Sequence, residues 1–197
     1  MIFKALRSRK TVDDSVFDAI YPEWIQKLAD RHWTPVEIAR IAADYLADEP
    51  NKKILDIGSG AGKFCLVGAC STQGRFYGVE QREPLIKLSK EIAQKNNIGN
   101  VEFIHSNIDE VSFASYQAFY FYNSFFENLD RSCPIDKTVH LGSELYYAYS
   151  SYVREQLELT PAGTKLATFW SNRDEIPDSF DLEISFGNVL HFWKKRR

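Results

Sequence analysis

Cysteine is scarce and unpatterned. The three residues, Cys65, Cys70 and Cys133, are odd in number and irregularly spaced, which excludes both a disulfide framework and a thiolate zinc motif. No apolar run approaches the length needed to cross a bilayer, so no membrane association is expected. An excess of positive charge is also missing: 24 Lys and Arg face 27 Asp and Glu, for a net charge of −3. A general nucleic-acid surface needs a basic stripe, so a nucleic-acid partner is not expected. The basic tail Lys194 to Arg197 is short and reads as a solvated terminus. Met1-Ile2-Phe3-Lys4 is not followed by the apolar stretch of a secretory signal, and there are no internal repeats or low-complexity linkers. These absences predict a single domain over residues 1–197, held in a reducing compartment such as the cytoplasm. No Ser-His-Asp set, paired acids or metal-ligand spacing stands out, so no metal centre is expected.

What the chain does have is a glycine-rich turn in the right setting. Lys53 to Ile57 read as a short buried strand, and Gly58, Gly60 and Gly62 follow at once, where no regular strand would tolerate them. Glycines there permit a tight turn and let a ligand lie against the backbone, because no Cβ intervenes. Phe64 to Ala69 then begin a helix whose free N–H groups point back at the turn. Asp56 sits just inside the strand end. A phosphate-cradling loop would need its first glycine at Ile57 and a Ser or Thr at Phe64, so that reading fails twice. A dinucleotide fingerprint would need its third glycine at Lys63, which weakens it without removing it. Asp56-Ile57-Gly58-Ser59-Gly60-Ala61-Gly62 resembles the first motif of class I S-adenosylmethionine-dependent methyltransferases.

The rest of the chain extends that pattern. Residues 1–12 read as a loose arm or peripheral turn, and Asp13 to Asp30 as short helices broken at Pro22, with Trp24, Ile25 and Leu28 on one face. Thr34-Pro35-Val36-Glu37 reads as a helix start, with Thr34 as N-cap, and Ile38, Ile41, Ala42, Tyr45 and Leu46 as its packed face. Residues 1–50 thus form an N-terminal helical segment, and 51–197 the core. A second strand, Arg75 to Glu80, ends in an acid twenty residues after Gly60. An acid there can accept hydrogen bonds from both ribose hydroxyls. A helix with Leu85, Leu88 and Ile92 facing inward follows Glu83-Pro84. Val101 to Ile104 and Ala118 to Tyr122 are the third and fourth strands, with an irregular loop from Arg131 to Gly142. A helix from Ser143 to Leu157 follows, with Leu145, Tyr149, Tyr152 and Leu157 inward. Thr164 to Trp170 is a fifth strand. Phe180 to Phe186 and Val189 to Trp193 form a hairpin about Gly187-Asn188.

A terminal hairpin added to a parallel sheet resembles the class I methyltransferase fold. It implies an α/β, Rossmann-like, mostly parallel seven-stranded sheet with helices on both faces and a C-terminal antiparallel hairpin. The resemblance spans roughly residues 34–193. It implies S-adenosylmethionine as cofactor, with S-adenosylhomocysteine as product. The loop residues Asp56, Gly58, Ser59, Gly60, Ala61 and Gly62 would hold its methionine part, Glu80 its ribose, and Gln81, Ser106, Asn107 and Ile108 its adenine. Thr34 lies where the segment before the first strand closes over the cofactor, as do Tyr21, Trp24 and Trp33. The fourth strand would face the methyl group, at Tyr122-Asn123-Ser124-Phe125. This stretch resembles the Asn-Pro-Pro-Tyr/Phe motif of enzymes that methylate adenine or glutamine amino groups. It resembles equally the Asn and Phe of protein-lysine methyltransferases of the telomeric-silencing type. The chain has the Asn and the Phe but neither proline, which implies an amine acceptor such as a protein lysine, with Asn123, Tyr122 and Phe125 as catalytic residues. Cys133, Asp136 and His140 are candidates for acceptor contact from the covering loop. A small-molecule acceptor, and a non-catalytic nucleotide or NAD-type binding module, are the alternative readings.

Overall fold

The computed structural model describes residues 1–196; Arg197, the last residue of the basic tail, lies outside the described residues. The N-terminal segment is helical from its start: α1 (Ile2–Arg7), α2 (Asp14–Asp18), α3 (Glu23–Gln26), α4 (Ala29–His32) and α5 (Val36–Leu46). The loose arm expected over residues 1–12 is therefore corrected. Phe3 and Leu6, one turn apart on α1, are buried in the same core cluster as Phe17 and the helix that follows the glycine turn. Ile25 of the short helices is buried as expected, but Trp24 is 43% exposed. The expected capping of α5 by Thr34 is also corrected. Pro35 is the N-cap, and the first helical N–H, of Val36, donates to Asp14 Oδ1 at 2.9 Å. The Thr34 hydroxyl instead pairs with the Tyr120 hydroxyl at 2.8 Å, inside the protein. The packed face of α5 centres on Ala39, Ala42, Ala43 and Leu46, with Ile38, Ile41 and Tyr45 at its margins.

The core follows in the order β1 (Lys53–Ile57), α6 (Lys63–Ser71), β2 (Arg75–Glu80), α7 (Glu83–Lys95), β3 (Val101–His105), β4 (Ala118–Phe121), α8 (Ser143–Glu158), β5 (Lys165–Phe169), β6 (Phe180–Phe186) and β7 (Leu190–Lys195). The seven strands pair in the order β3-β2-β1-β4-β5-β7-β6. All neighbours are parallel except β7, which is antiparallel to both β5 and β6. The predicted hairpin thus inserts its second strand into the sheet, and the expected α/β architecture is observed. The order reverses direction beside β1, so the carboxyl ends of β1 and β4 open a crevice, the place where ligands bind in open parallel sheets. One core cluster packs α5, α6 and α7 on one face of the sheet, and a second packs α8 on the other. On α8 the buried line is Tyr146, Tyr149, Val153 and Leu157; Leu145 and Tyr152 are only partly covered.

Lys63 joins the N-terminal helices to the first turn of α6. Its side chain is 3% exposed, and its ammonium lies 2.6 Å from Asp14 and 2.7 Å from Asp18. Burial holds the Asp18 carboxyl above its ordinary range, and the Lys63 contact opposes that rise. Replacing Lys63 with Met would leave Asp18 buried without a partner, which costs about 3 kcal/mol and should lower the melting temperature by about 6 to 12 °C in a chain of this size. Thermal unfolding of Lys63→Met checks this. An unchanged midpoint would mean that apolar contacts alone dock the N-terminal helices.

Candidate functional site

The site begins where β1 ends. Gly58, Gly60 and Gly62 have φ of 73°, 53° and 79°, a left-handed conformation that side chains resist. Space forbids a side chain as well: a Cβ on Gly60 would run into the Trp33 ring, and one on Gly62 would lie 2.7 Å from Phe103. The loop is held from both sides. Behind it, the Tyr21 hydroxyl donates to the Ala61 carbonyl at 3.1 Å. In front, Glu80 at the end of β2 accepts the Gly60 N–H at 3.1 Å and the Arg82 N–H at 2.9 Å. Glu80 is 6% exposed. Burial raises its pKa, while Arg82 and the two N–H groups oppose the rise.

Two adjoining cavities meet at Gly58, Glu80, Arg82 and Ser124. The larger, of about 390 Å³, is lined by Thr34, Asp56, Gly58, Ser59, Gly60, Glu80, Tyr122 and Asn123 among the residues singled out from sequence. The smaller, of about 30 Å³, is lined by Gly58, Glu80, Gln81, Ser106, Asn107, Ile108 and Phe125. Ala61 and Gly62 stand behind the loop and line neither. The structure therefore brings Glu80, the 106–108 segment expected to hold adenine, and the end of β4 together around one crevice. Phe125, expected beside Asn123 at the acceptor, faces the smaller slot; Phe126, 38% exposed, takes its place in the larger pocket. Of the segment before β1, Trp33 and Thr34 reach the larger pocket, whereas Trp24 does not.

Asp56 is buried in the floor of the larger pocket. Its Oδ2 accepts a weak bond from the Cys65 thiol at 3.4 Å. Burial, helped by the nearby Glu80 charge and opposed by the thiol, pushes its pKa to about 7. At the opposite wall β4 stops at Phe121, one residue earlier than expected, because Asn123 turns the chain with φ 42°. The Asn123 N–H donates to Ser171 Oγ at 3.3 Å, and its side-chain amide makes no hydrogen bond among the described residues. Next to it, Ser124 Oγ donates to the Ile57 carbonyl and ties the ends of β1 and β4 together. The Tyr122 hydroxyl donates to the Arg31 carbonyl at 3.1 Å, so it braces α4.

The covering segment is latched rather than free. Arg82, 4% exposed, lies 3.0 Å from Glu127 and 3.2 Å from Asp136, as well as 3.6 Å from Glu80. Arg31 pairs with Asp130, and His32 Nε2 lies 2.9 Å from the Cys133 carbonyl. Of the loop candidates, Asp136 serves this latch, Cys133 contributes its backbone, and His140 is 81% exposed at its side chain and lines neither cavity. Ile135 is the loop residue that reaches the pocket. The sequence reading missed Arg82 as an ion-pair centre, Phe126, and Trp170, which has φ 52°, is 60% exposed and lies at the pocket mouth. A Gly-free strand end gives no signal of a left-handed turn, so Trp170 could not have been found from pattern alone. Among the described residues no group of His, Cys, Asp and Glu could hold a metal ion, and no helix is long and apolar enough to cross a membrane.

The comparisons with known proteins agree with this geometry. Residues 48–128 match the family model described as "Methyltransferase domain". A Methanocaldococcus jannaschii protein, whose name provisionally assigns it protein N5-glutamine methylation, is 34% identical over 86 residues, covering 43% of this chain and 42% of the relative. The match spans less than half the length of the curated relatives. A methyltransferase from Geobacter sulfurreducens is structurally similar with a TM-score of 0.64 at 11% identity, covering 98% of this chain and 96% of that one. An RNA methyltransferase from Salinibacter ruber, solved with S-adenosylhomocysteine, has a TM-score of 0.55 at 19% identity, covering 83% of this chain and 94% of that one. The curated relatives include an enzyme named for methylating ribosomal RNA, 32% identical over 74 residues, so the expectation against nucleic acid is not supported. Residues 48–128 are thus similar to a methyltransferase domain, and the seven-stranded sheet with its inserted hairpin has the fold of the solved methyltransferases it resembles.

Proposed function

We propose that this chain transfers the methyl group of S-adenosylmethionine to a nitrogen acceptor presented at Asn123, with an amine such as a protein lysine as the acceptor. The observation that carries the reading is the unbonded Asn123 amide at the end of β4, in one pocket with the glycine turn and Glu80. The residues suit the cofactor: Gly60 leaves backbone surface that a Cβ would fill, and Glu80 is fixed by two N–H groups with lone pairs left for a diol. The bound cofactor supplies an activated methyl group on a sulfonium. The protein then has to align and shield rather than to activate. Asp56 and Glu80 give the pocket floor the negative charge that suits a cation. Asn123 orients the acceptor nitrogen through its amide, and Trp33, Phe64 and Tyr120 exclude water from the pocket wall.

A second reading rests on Phe126 and Trp170. These two partly exposed rings line the same pocket and would stack on a flat nucleobase as readily as on an aliphatic stem. The similar RNA methyltransferase supports that acceptor class, and the net charge of −3 argues against it.

Two outcomes are expected. Binding of S-adenosylhomocysteine, whose ammonium would face Asp56, should weaken about tenfold from pH 8 to pH 6, because Asp56 must give up its proton and does so near pH 7. Titration calorimetry across that range should show the slope in the wild type and lose it in Asp56→Asn. In a labelled-methyl assay on cell extract, Asn123→Ala should keep cofactor affinity within a few-fold yet lose on the order of a hundredfold in turnover, as for an orienting contact made in the transition state. Protease-sensitive label supports the protein amine, and ribonuclease-sensitive label supports the base. Wild-type turnover in Asn123→Ala would remove the amide from the reaction.

A further inference from the structure

The smaller cavity is too tight for what must enter it. It adjoins the larger pocket at Glu80 and is lined by Ser106, Asn107 and Ile108, so on the cofactor reading a nucleoside whose ribose sits on that acid places its base there. Its volume of about 30 Å³ is room for a water or two, not for a fused bicyclic base. The Asn107 amide at its edge is already spent within the protein. Asn107 Oδ1 accepts the Ile108 N–H at 2.9 Å, and Asn107 Nδ2 donates to the Tyr149 hydroxyl at 2.6 Å. Tyr149 comes from α8, is 7% exposed, and forms the outer wall with Phe125, whose ring centre lies 5.5 Å from its own.

We propose that Tyr149 gates this slot: the purine of the cofactor enters only when the Tyr149–Asn107 hydrogen bond breaks and the tyrosine ring swings away. The proposal rests on the cofactor reading above and goes beyond it, since α8 lies outside every motif that the sequence matched. The gate sets both the rate and the strength of cofactor capture. The closed state keeps Asn107 paired, where an open slot would leave its amide and two apolar side chains, Ile108 and Phe125, facing water. Opening frees the Asn107 amide for the base edge. Phe125, tilted against both Tyr149 and Phe121 with ring centres 5.5 and 5.4 Å away, offers the base an aromatic surface to pack on once the tyrosine has moved.

The consequence runs against the usual effect of deleting a side-chain hydrogen bond in a binding site. Tyr149→Phe keeps the ring and removes only the bond that holds the gate shut. It should therefore bind S-adenosylhomocysteine about fivefold more tightly, the worth of one neutral hydrogen bond, and associate faster in stopped-flow fluorescence. Tyr149→Ala, which empties the wall, should associate at least as fast. Melting curves without ligand establish that both variants are folded. Wild-type binding with unchanged or weaker binding and unchanged association in Tyr149→Phe would overturn the gate while leaving the cofactor reading standing. Absence of binding by the wild type and both variants would overturn the two together.

Discussion

The structure depends on one hydrogen-bonded carboxylate. Glu80 accepts the N–H of Gly60 from the turn after β1 and the N–H of Arg82 from the turn after β2, so two loops that would otherwise move apart share a single charge. The turn can approach only because Gly60 has no side chain, and it stays there because Trp33 closes over it. Burial makes that charge costly, and the two amides with the Arg82 guanidinium offset the cost. A carboxylate held this way is preorganised: its position does not have to be found again when a ligand arrives.

Arg82 extends the same arrangement to the covering segment. Through Glu127 and Asp136 it fixes the residues after β4 above the crevice, and Asn128 fastens the far end by accepting the Gly142 N–H at 3.2 Å. The result is a continuous polar line from the glycine turn to the loop over the pocket. The wall on the other side is aromatic: Phe64 stacks on Tyr120 with ring centres 3.8 Å apart, and the Tyr120 hydroxyl meets Thr34. Charge is thus concentrated on the β2 side and shape on the β4 side, a division that suits a cationic, flat-ended ligand in an elongated crevice.

Much of this was legible in the sequence, for physical reasons that differ by element. β1 and β2 start and stop where expected because buried parallel strands are continuous apolar runs and glycine or an acid ends them. The hairpin was legible from Gly187-Asn188. The N-terminal twelve residues were misjudged because Phe3 and Leu6 are too few to show a helical period, although α6 gives them a surface to bury against. Thr34 carried every mark of an N-cap, but Tyr120, a residue 86 positions away, captured its hydroxyl. Of the site, the glycine turn and Glu80 could be read because their conformations demand particular residues. Arg82, Phe126, Trp170 and the placement of Phe125 could not, because ion-pair partners and the side to which a ring turns are decided by tertiary contacts.

The account stands or falls on Glu80 as the ribose anchor, and calorimetric titration with S-adenosylhomocysteine tests it most directly. Wild-type protein should bind in the low micromolar range, on the order of −7 to −8 kcal/mol, and Glu80→Ala should lose about 1.5 to 3 kcal/mol of that affinity, as for hydrogen bonds to a charged group. NAD should compete poorly. A Glu80→Ala protein that remains folded and binds S-adenosylhomocysteine as tightly as the wild type, or a wild type that prefers NAD, would contradict the account.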